Sequence, residues 1–341
     1  MTQPLVRTAP PAPAHPARRA RARARARRLL RGVAVLSCAP YLCLKVAWIA
    51  GSRIGIPEGS SLLEHRGTVA VMNAVTVLMD AAVIVLALLL TRPWGRRVPA
   101  WLLAVPVWVA TGLLAPIVTG FPIQLLVDVL GGASTGSGPD EPFLDAWVFG
   151  VVYTGFIVQG LSLGALFVLY ARDRWGGLWR GLVWELPVGL VGGAQRLAAC
   201  AAALVAVPPF ALHLLWACGG TSWLSAGLAD DASSGFRVVE ATSTGFLAVA
   251  VAGGALLAFR RGPVLPVAVP LALAWVGSAA TACWGGWMTL SSLTGVADAA
   301  DRPTPVMHLT YSAQMIVGIL VASVCAYFLA ERSALPAKRP A

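Results

Sequence analysis

Eight stretches of mostly apolar residues divide this chain, near 30–51, 67–90, 98–120, 146–171, 197–219, 236–258, 264–286 and 307–330. Each has the length a helix rising about 1.5 Å per residue needs to cross about 30 Å of hydrocarbon. Lipid offers no hydrogen bonds to an exposed backbone, so segments of this length and composition can cross it only as α-helices. Composition agrees: 57% of residues are hydrophobic and 12% charged, whereas about a quarter are charged in soluble domains. A soluble enzyme or regulator is thereby excluded, and the expected fold class is an all-α membrane protein with eight transmembrane helices.

Basic residues fall on alternate sides of these stretches. One set of segments holds Arg92, Arg96, Arg97; Arg172, Arg174, Arg180, Arg196; Arg260, Arg261; and Arg332, Lys338, Arg339, together with the arginines of the N-terminal tail. The other set holds only Arg53, Arg66, Arg237 and Arg302. The positive-inside rule then places both termini in the cytoplasm of a multi-pass protein of the cell membrane. The opposite loops are acidic, with Asp128, Asp140, Glu141, Asp145, Asp230, Asp231, Asp298 and Asp301.

Residues 1–28 are rich in Pro, Ala and Arg and lack the large apolar groups a fold requires. They read as a disordered cytoplasmic tail touching anionic lipid headgroups, each basic residue contributing about 1 kcal/mol near the surface. Nucleic acid is disfavoured as a partner, because no aromatic residue interleaves the arginines to stack on bases. Arg27-Arg28 has the look of a twin-arginine signal, but the full-length apolar stretch that follows reads as a retained first span. The remaining organisation is a first four-span block over 29–171, a cytoplasmic interfacial linker over 172–196, a second block over 197–332 and a short tail over 333–341. In the linker Trp175 and Trp179 would share a face if it is helical. Residues 121–131 are expected on the outer surface.

The second block is a faded copy of the first. Pro40, Leu44, Trp48 and Gly51 recur as Pro208, Leu212, Trp216 and Gly219 at a constant offset of 168, with Lys45 facing His213. Gly67/Gly235 and Arg92/Arg260 keep that offset. Four spans is an even number, so the copies are expected to be parallel repeats related by an axis along the membrane normal. The run Leu212-His-Leu-Leu-Trp-Ala-Cys-Gly-Gly220 resembles the first span of an uncharacterised four-span bacterial membrane family with a His-x-x-Trp-x-x-Gly-Gly signature. The wider chain resembles actinobacterial integral membrane proteins without an assigned function. Neither resemblance implies an activity.

Lys45 and Asp80 are the ionisable residues deepest in the spans. A charge there costs about 2.5–3.5 kcal/mol on insertion scales, which makes each a functional candidate. Side chains lean toward the N-terminus of their own helix. Adjacent antiparallel spans would therefore point Lys45 and Asp80 at one another as a buried pair. Asn73, Thr76 and Asp80 form a polar stripe on one helical face. A fixed polar clamp, a proton or substrate site, and Lys45 reaching out to the interface remain open readings. Asp80 has Ala248 at its equivalent position, which leaves His213 without a matching carboxylate. Glu240 with Ser243, and Tyr311 with Gln314, are further candidates. A metal set of His65, His213, His308 and Glu240 has no motif spacing, and no cofactor motif stands out.

The six cysteines read as buried small apolar residues, with a Cys218–Cys283 disulfide open. Three functions fit such a chain. The first is a small-solute or proton-linked carrier with a cavity between the repeats, lined by Lys45, Asp80 and His213. The others are a non-catalytic membrane scaffold or assembly partner, and a membrane-embedded enzyme acting on lipid or quinone. No convergent set of polar groups favours an enzyme. Oligomeric state is not legible.

Overall fold

Many large apolar side chains lie on the outside of the protein, and several polar ones lie inside. Leu36, Leu78, Val129, Leu161, Leu204 and Leu309 are exposed, while Asn73, Asp80, Gln159, Gln195, His213, Glu240 and Gln314 are buried. Such a surface is not tolerated in water but suits hydrocarbon. In the computed structural model, residues 15–58, 66–131, 144–183, 192–230, 232–260, 264–293 and 302–334 are described. Eight helices among them are long and apolar enough to cross a membrane. They are α1 (His15–Ile49), α2 (Arg66–Thr91), α3 (Ala100–Leu130), α4 (Ala146–Trp175), α5 (Gly192–Ala217), α7 (Ser234–Phe259), α8 (Ala268–Leu293) and α9 (Pro305–Ala334), with a single turn α6 (Ala226–Asp230) before α7. The protein is therefore a multi-pass, all-α membrane protein.

Several boundaries depart from expectation. α1 begins at His15, so residues 15–28 are described as helix continuous with the first span, and residues 1–14 lie outside the described residues. Ala and Arg both favour helix, and a nucleated span extends at little cost. Residues 121–131 do not form a separate surface segment, because α3 runs on to Leu130 through Pro106, Pro116 and Pro122. Trp175 ends α4 while Trp179 sits in the turn beyond, so the two do not share a helical face. Trp184 lies outside the described residues. Cys38 and Cys325 are buried, but Cys43, Cys200 and Cys218 are exposed and no Cys218–Cys283 disulfide forms. A thiol is apolar enough to face lipid.

Within the first block α1 packs on α2 and α4; within the second, α5 packs on α7 and α9. The blocks meet where α3 lies against α7 and α8. Helix α8 is the centre of the molecule, and its stripe Gly277-Ser-Ala-Ala-Thr-Ala282 is buried throughout. Small residues are what let helices approach closely without a hydrophobic drive between them. At the junction, a Cβ placed on Gly112 of α3 would lie 2.3 Å from Ala279 O and 2.6 Å from Cys283 Sγ. The two ends of the bundle are tied separately. At the end carrying the termini, Arg174 donates to Val98 O (2.8 Å) and Arg260 meets Glu331 (2.6 Å). At the other, the Asp145 N–H donates to Gly55 O (3.0 Å) and Thr304 donates to Trp223 O (2.6 Å).

The duplicated motif closes its helix identically in both copies. Gly51 and Gly219 each take φ +92°. The Gly51 N–H donates to Trp48 O and the Ser52 N–H to Ala47 O; Gly219 and Gly220 donate to Trp216 O and Leu215 O in the same way. These are the paired bonds of a Schellman cap, whose left-handed residue is glycine for want of a Cβ clash. The tryptophan then reaches six residues forward: Trp48 Nε1 donates to Ile54 O (2.8 Å), and Trp216 Nε1 to Ser222 O (3.0 Å). The Trp-x-x-Gly spacing is thus a device for ending a span and folding the loop back over it. Gly219→Ala is expected to cost about 1–2 kcal/mol from the left-handed backbone alone. Gly245→Ala, in mid-helix with nothing within 4 Å of a new Cβ, should instead stabilise by about 0.5–1 kcal/mol. Unfolding midpoints of the two variants in one detergent check both signs.

Candidate functional site

Three polar clusters within the described spans hold the residues singled out in the sequence. The first joins the opening helix of the second block to two neighbours. His213 on α5 places Nδ1 2.5 Å from Glu240 Oε2 on α7 and Nε2 3.0 Å from Gln314 Oε1 on α9. All three side chains are buried, at 2%, 6% and 4% exposure, so each depends chiefly on its protein partners for hydrogen bonds. Trp216, one turn along α5, packs its indole edge-on to the imidazole at 5.5 Å. Thr244 donates to Glu240 O on its own helix (2.9 Å). Tyr311 packs against the group around Trp216, with Leu212 beside it.

The hydrogen-bond pattern links the Gln314 amide to the protons of the imidazole. With the Gln314 carbonyl toward Nε2, both ring nitrogens of His213 face oxygen acceptors, and only a doubly protonated imidazole donates to both. A half-turn of the Gln314 amide would present its NH2 to Nε2 instead, and a neutral imidazole would then be satisfied. The orientation of one buried amide is therefore tied to the presence of one proton. The expectation that His213 lacks a carboxylate is overturned, because Glu240 supplies it.

The second and third clusters divide the pair expected in the first block. Lys45 Nζ donates to Asn73 Oδ1 (2.8 Å) and lies 4.9 Å above both the Tyr41 and Trp48 rings. Asp80 Oδ1 accepts from Gln159 Nε2 of α4 (3.2 Å), and its other oxygen is buried without a hydrogen-bond partner. Lys45 and Asp80 thus make no ion pair. Asp80 lies seven residues beyond Asn73 along α2, about 10 Å deeper at the helical rise, and Asn73 intercepts the ammonium first. Thr76 spends its hydroxyl on Met72 O and Asn73 O within its own helix.

A cavity of about 140 Å³ lies between the blocks, toward the end away from the termini. Its walls come from α3, α4, α7, α8 and α9, with Phe121, Phe246 and Trp284 as the large apolar faces. Gln124, Tyr153, Thr242, Ser243 and Gln314 supply polar atoms, and among the described residues no charged side chain lines it. Lys45, Asp80 and His213, expected to line such a space, do not. Gln314 alone joins the cavity to the His213–Glu240 pair. Ser243 faces the cavity, while Glu240, three residues earlier, faces His213.

Of the imagined metal set, His213 and Glu240 meet, His308 pairs with Ser292 (3.0 Å), and His65 lies outside the described residues. Pro40 and Pro208 sit within α1 and α5, and Leu44 packs inside. Gln159, Gln195 and Glu331 were not anticipated; Gln159 was legible as the lone amide within the fourth apolar stretch. Comparison of the chain with family models, with curated proteins and with solved structures finds no match.

Proposed function

We propose that the protein is a proton-linked carrier of a small uncharged solute, with its site in the cavity between the blocks. The observation that carries this reading is the placement of Gln314, which bonds His213 on one side and lines the cavity on the other. When His213 holds both protons, the Gln314 carbonyl is engaged and its NH2 is free to donate toward a solute. When the Nε2 proton leaves, the amide turns and offers a carbonyl instead. Proton occupancy would thereby change the hydrogen-bonding character of the cavity. The uncharged lining favours a neutral solute with an apolar body, since a buried charge would meet no counter-charge there. Basic residues on one set of connecting segments support placing the termini in the cytoplasm, so the cavity lies nearer the outside.

A scaffold is the second reading, and the close approach of α3 and α8 at Gly112 favours it. Accessibility separates the two. In a cysteine-free background, Ser243→Cys is expected to react with a water-soluble maleimide added outside sealed vesicles, while Ala250→Cys, fully buried in the bundle, does not. Ser243→Cys as inert as Ala250→Cys would favour the scaffold.

A further inference from the structure

A second cavity, of about 350 Å³, opens at the end carrying the termini, well away from the His213 cluster. Its walls are Arg23 and Arg27 of α1, Arg172 and Asp173 near the end of α4, and Trp179 and Arg180 of the turn that follows. Four guanidinium groups thus surround one carboxylate. Arg27 answers that carboxylate (2.5 Å) and donates also to Leu169 O (3.2 Å). Asp173 thereby fixes Arg27, with Arg96 also 3.8 Å from the carboxylate, and the lining retains a net positive charge from Arg23, Arg172 and Arg180. The opposite wall is fixed as well: Arg332 of α9 donates to Leu178 O (2.9 Å) and Arg180 O (3.0 Å), pinning the turn that carries Trp179 and Arg180.

We infer that this cleft binds a phosphate ester, with planar guanidinium forks converging on its oxygens. The same chemistry is offered by the headgroup of an anionic phospholipid and by free phosphate. Position favours the lipid. The cleft lies at the ends of two spans, with Leu169 at its floor, a tryptophan in its wall and the lipid-facing Leu29 two residues beyond Arg27. Tryptophan prefers headgroup depth, and basic pockets between spans suit anionic headgroups.

The full chain in nanodiscs provides the test, read as enrichment of phosphatidylglycerol over phosphatidylcholine among lipids retained by the protein in native mass spectrometry. Arg23→Gln/Arg172→Gln/Arg180→Gln is expected to lower that enrichment about 100-fold, through loss of three charge-assisted contacts converging on one headgroup. Arg18→Gln/Arg21→Gln/Arg25→Gln removes the same charge from α1 outside the cleft and should lower the enrichment at least about tenfold less, because these exposed arginines attract the leaflet without converging on one headgroup. An equal loss in both variants would mean diffuse attraction and would overturn the site. In a second arm, inorganic phosphate is added to the wild type at constant ionic strength. Lipid retained at millimolar phosphate supports the headgroup as occupant; its displacement would overturn the lipid assignment in favour of the free anion.

Discussion

Glu240→Ala is expected to destabilise the protein by about 3 kcal/mol, the cost of leaving a buried hydrogen-bonding group without its partner. The loss has two parts. His213 keeps its buried position but loses the acceptor 2.5 Å from Nδ1, and truncating a buried side chain forfeits its packing contacts. Removing both groups should be milder than the sum of the single changes, because His213→Ala/Glu240→Ala leaves no unanswered charge. The matching cycle on Lys45 and Asp80 is expected to show weaker coupling, since the two make no ion pair and interact only through space. Steric trapping in bicelles measures both cycles. Comparable coupling in the two would mean that the ion pair lies in the first block after all.

Gly112→Val is the second large effect. Its Cβ would fall within 3 Å of both Ala279 O and Cys283 Sγ, and the first of these is backbone that cannot rotate aside. Helices α3 and α8 must then separate, at a cost of about 3 kcal/mol for overpacking a tight seam. The damage is local to the junction, so the cavity between the blocks should change with it. Gly150→Val on α4, where a Cβ meets nothing within 4 Å, is the control and should fall close to the wild type. Unfolding midpoints, together with maleimide reactivity of Ser243→Cys in the Gly112→Val background, check both effects.

The spans were legible because the bilayer demands length and apolarity, which composition displays openly. The cap was legible only as a spacing: Trp48, Gly51, Trp216 and Gly219 stood out as a repeat, but their role needed the φ angles and the forward indole bonds. Matching the copies residue for residue misled the reading of charge. It compared Asp80 with Ala248 and found no carboxylate for His213. The residue that answers each opening helix sits a full two turns nearer the loop, Asn73 in one block and Glu240 in the other, shifted by one position in register. A fixed offset cannot see such a shift, because a long glutamate side chain makes up the difference. Which face of α9 turns toward α5 was likewise invisible, so Gln314 was named but not connected.

The most direct test of the carrier account is proton movement into proteoliposomes loaded with a pH-sensitive dye, under an imposed pH gradient, across a panel of small neutral solutes. At least one solute is expected to accelerate proton entry through the wild type. In Glu240→Gln, which keeps the shape and a hydrogen bond to His213 but not the charge, the acceleration should fall by about tenfold or more. Asp80→Asn should leave it unchanged. Acceleration of equal size in Glu240→Gln, or none by any solute in the wild type, would contradict the assignment of His213, Glu240 and Gln314 as the coupling group.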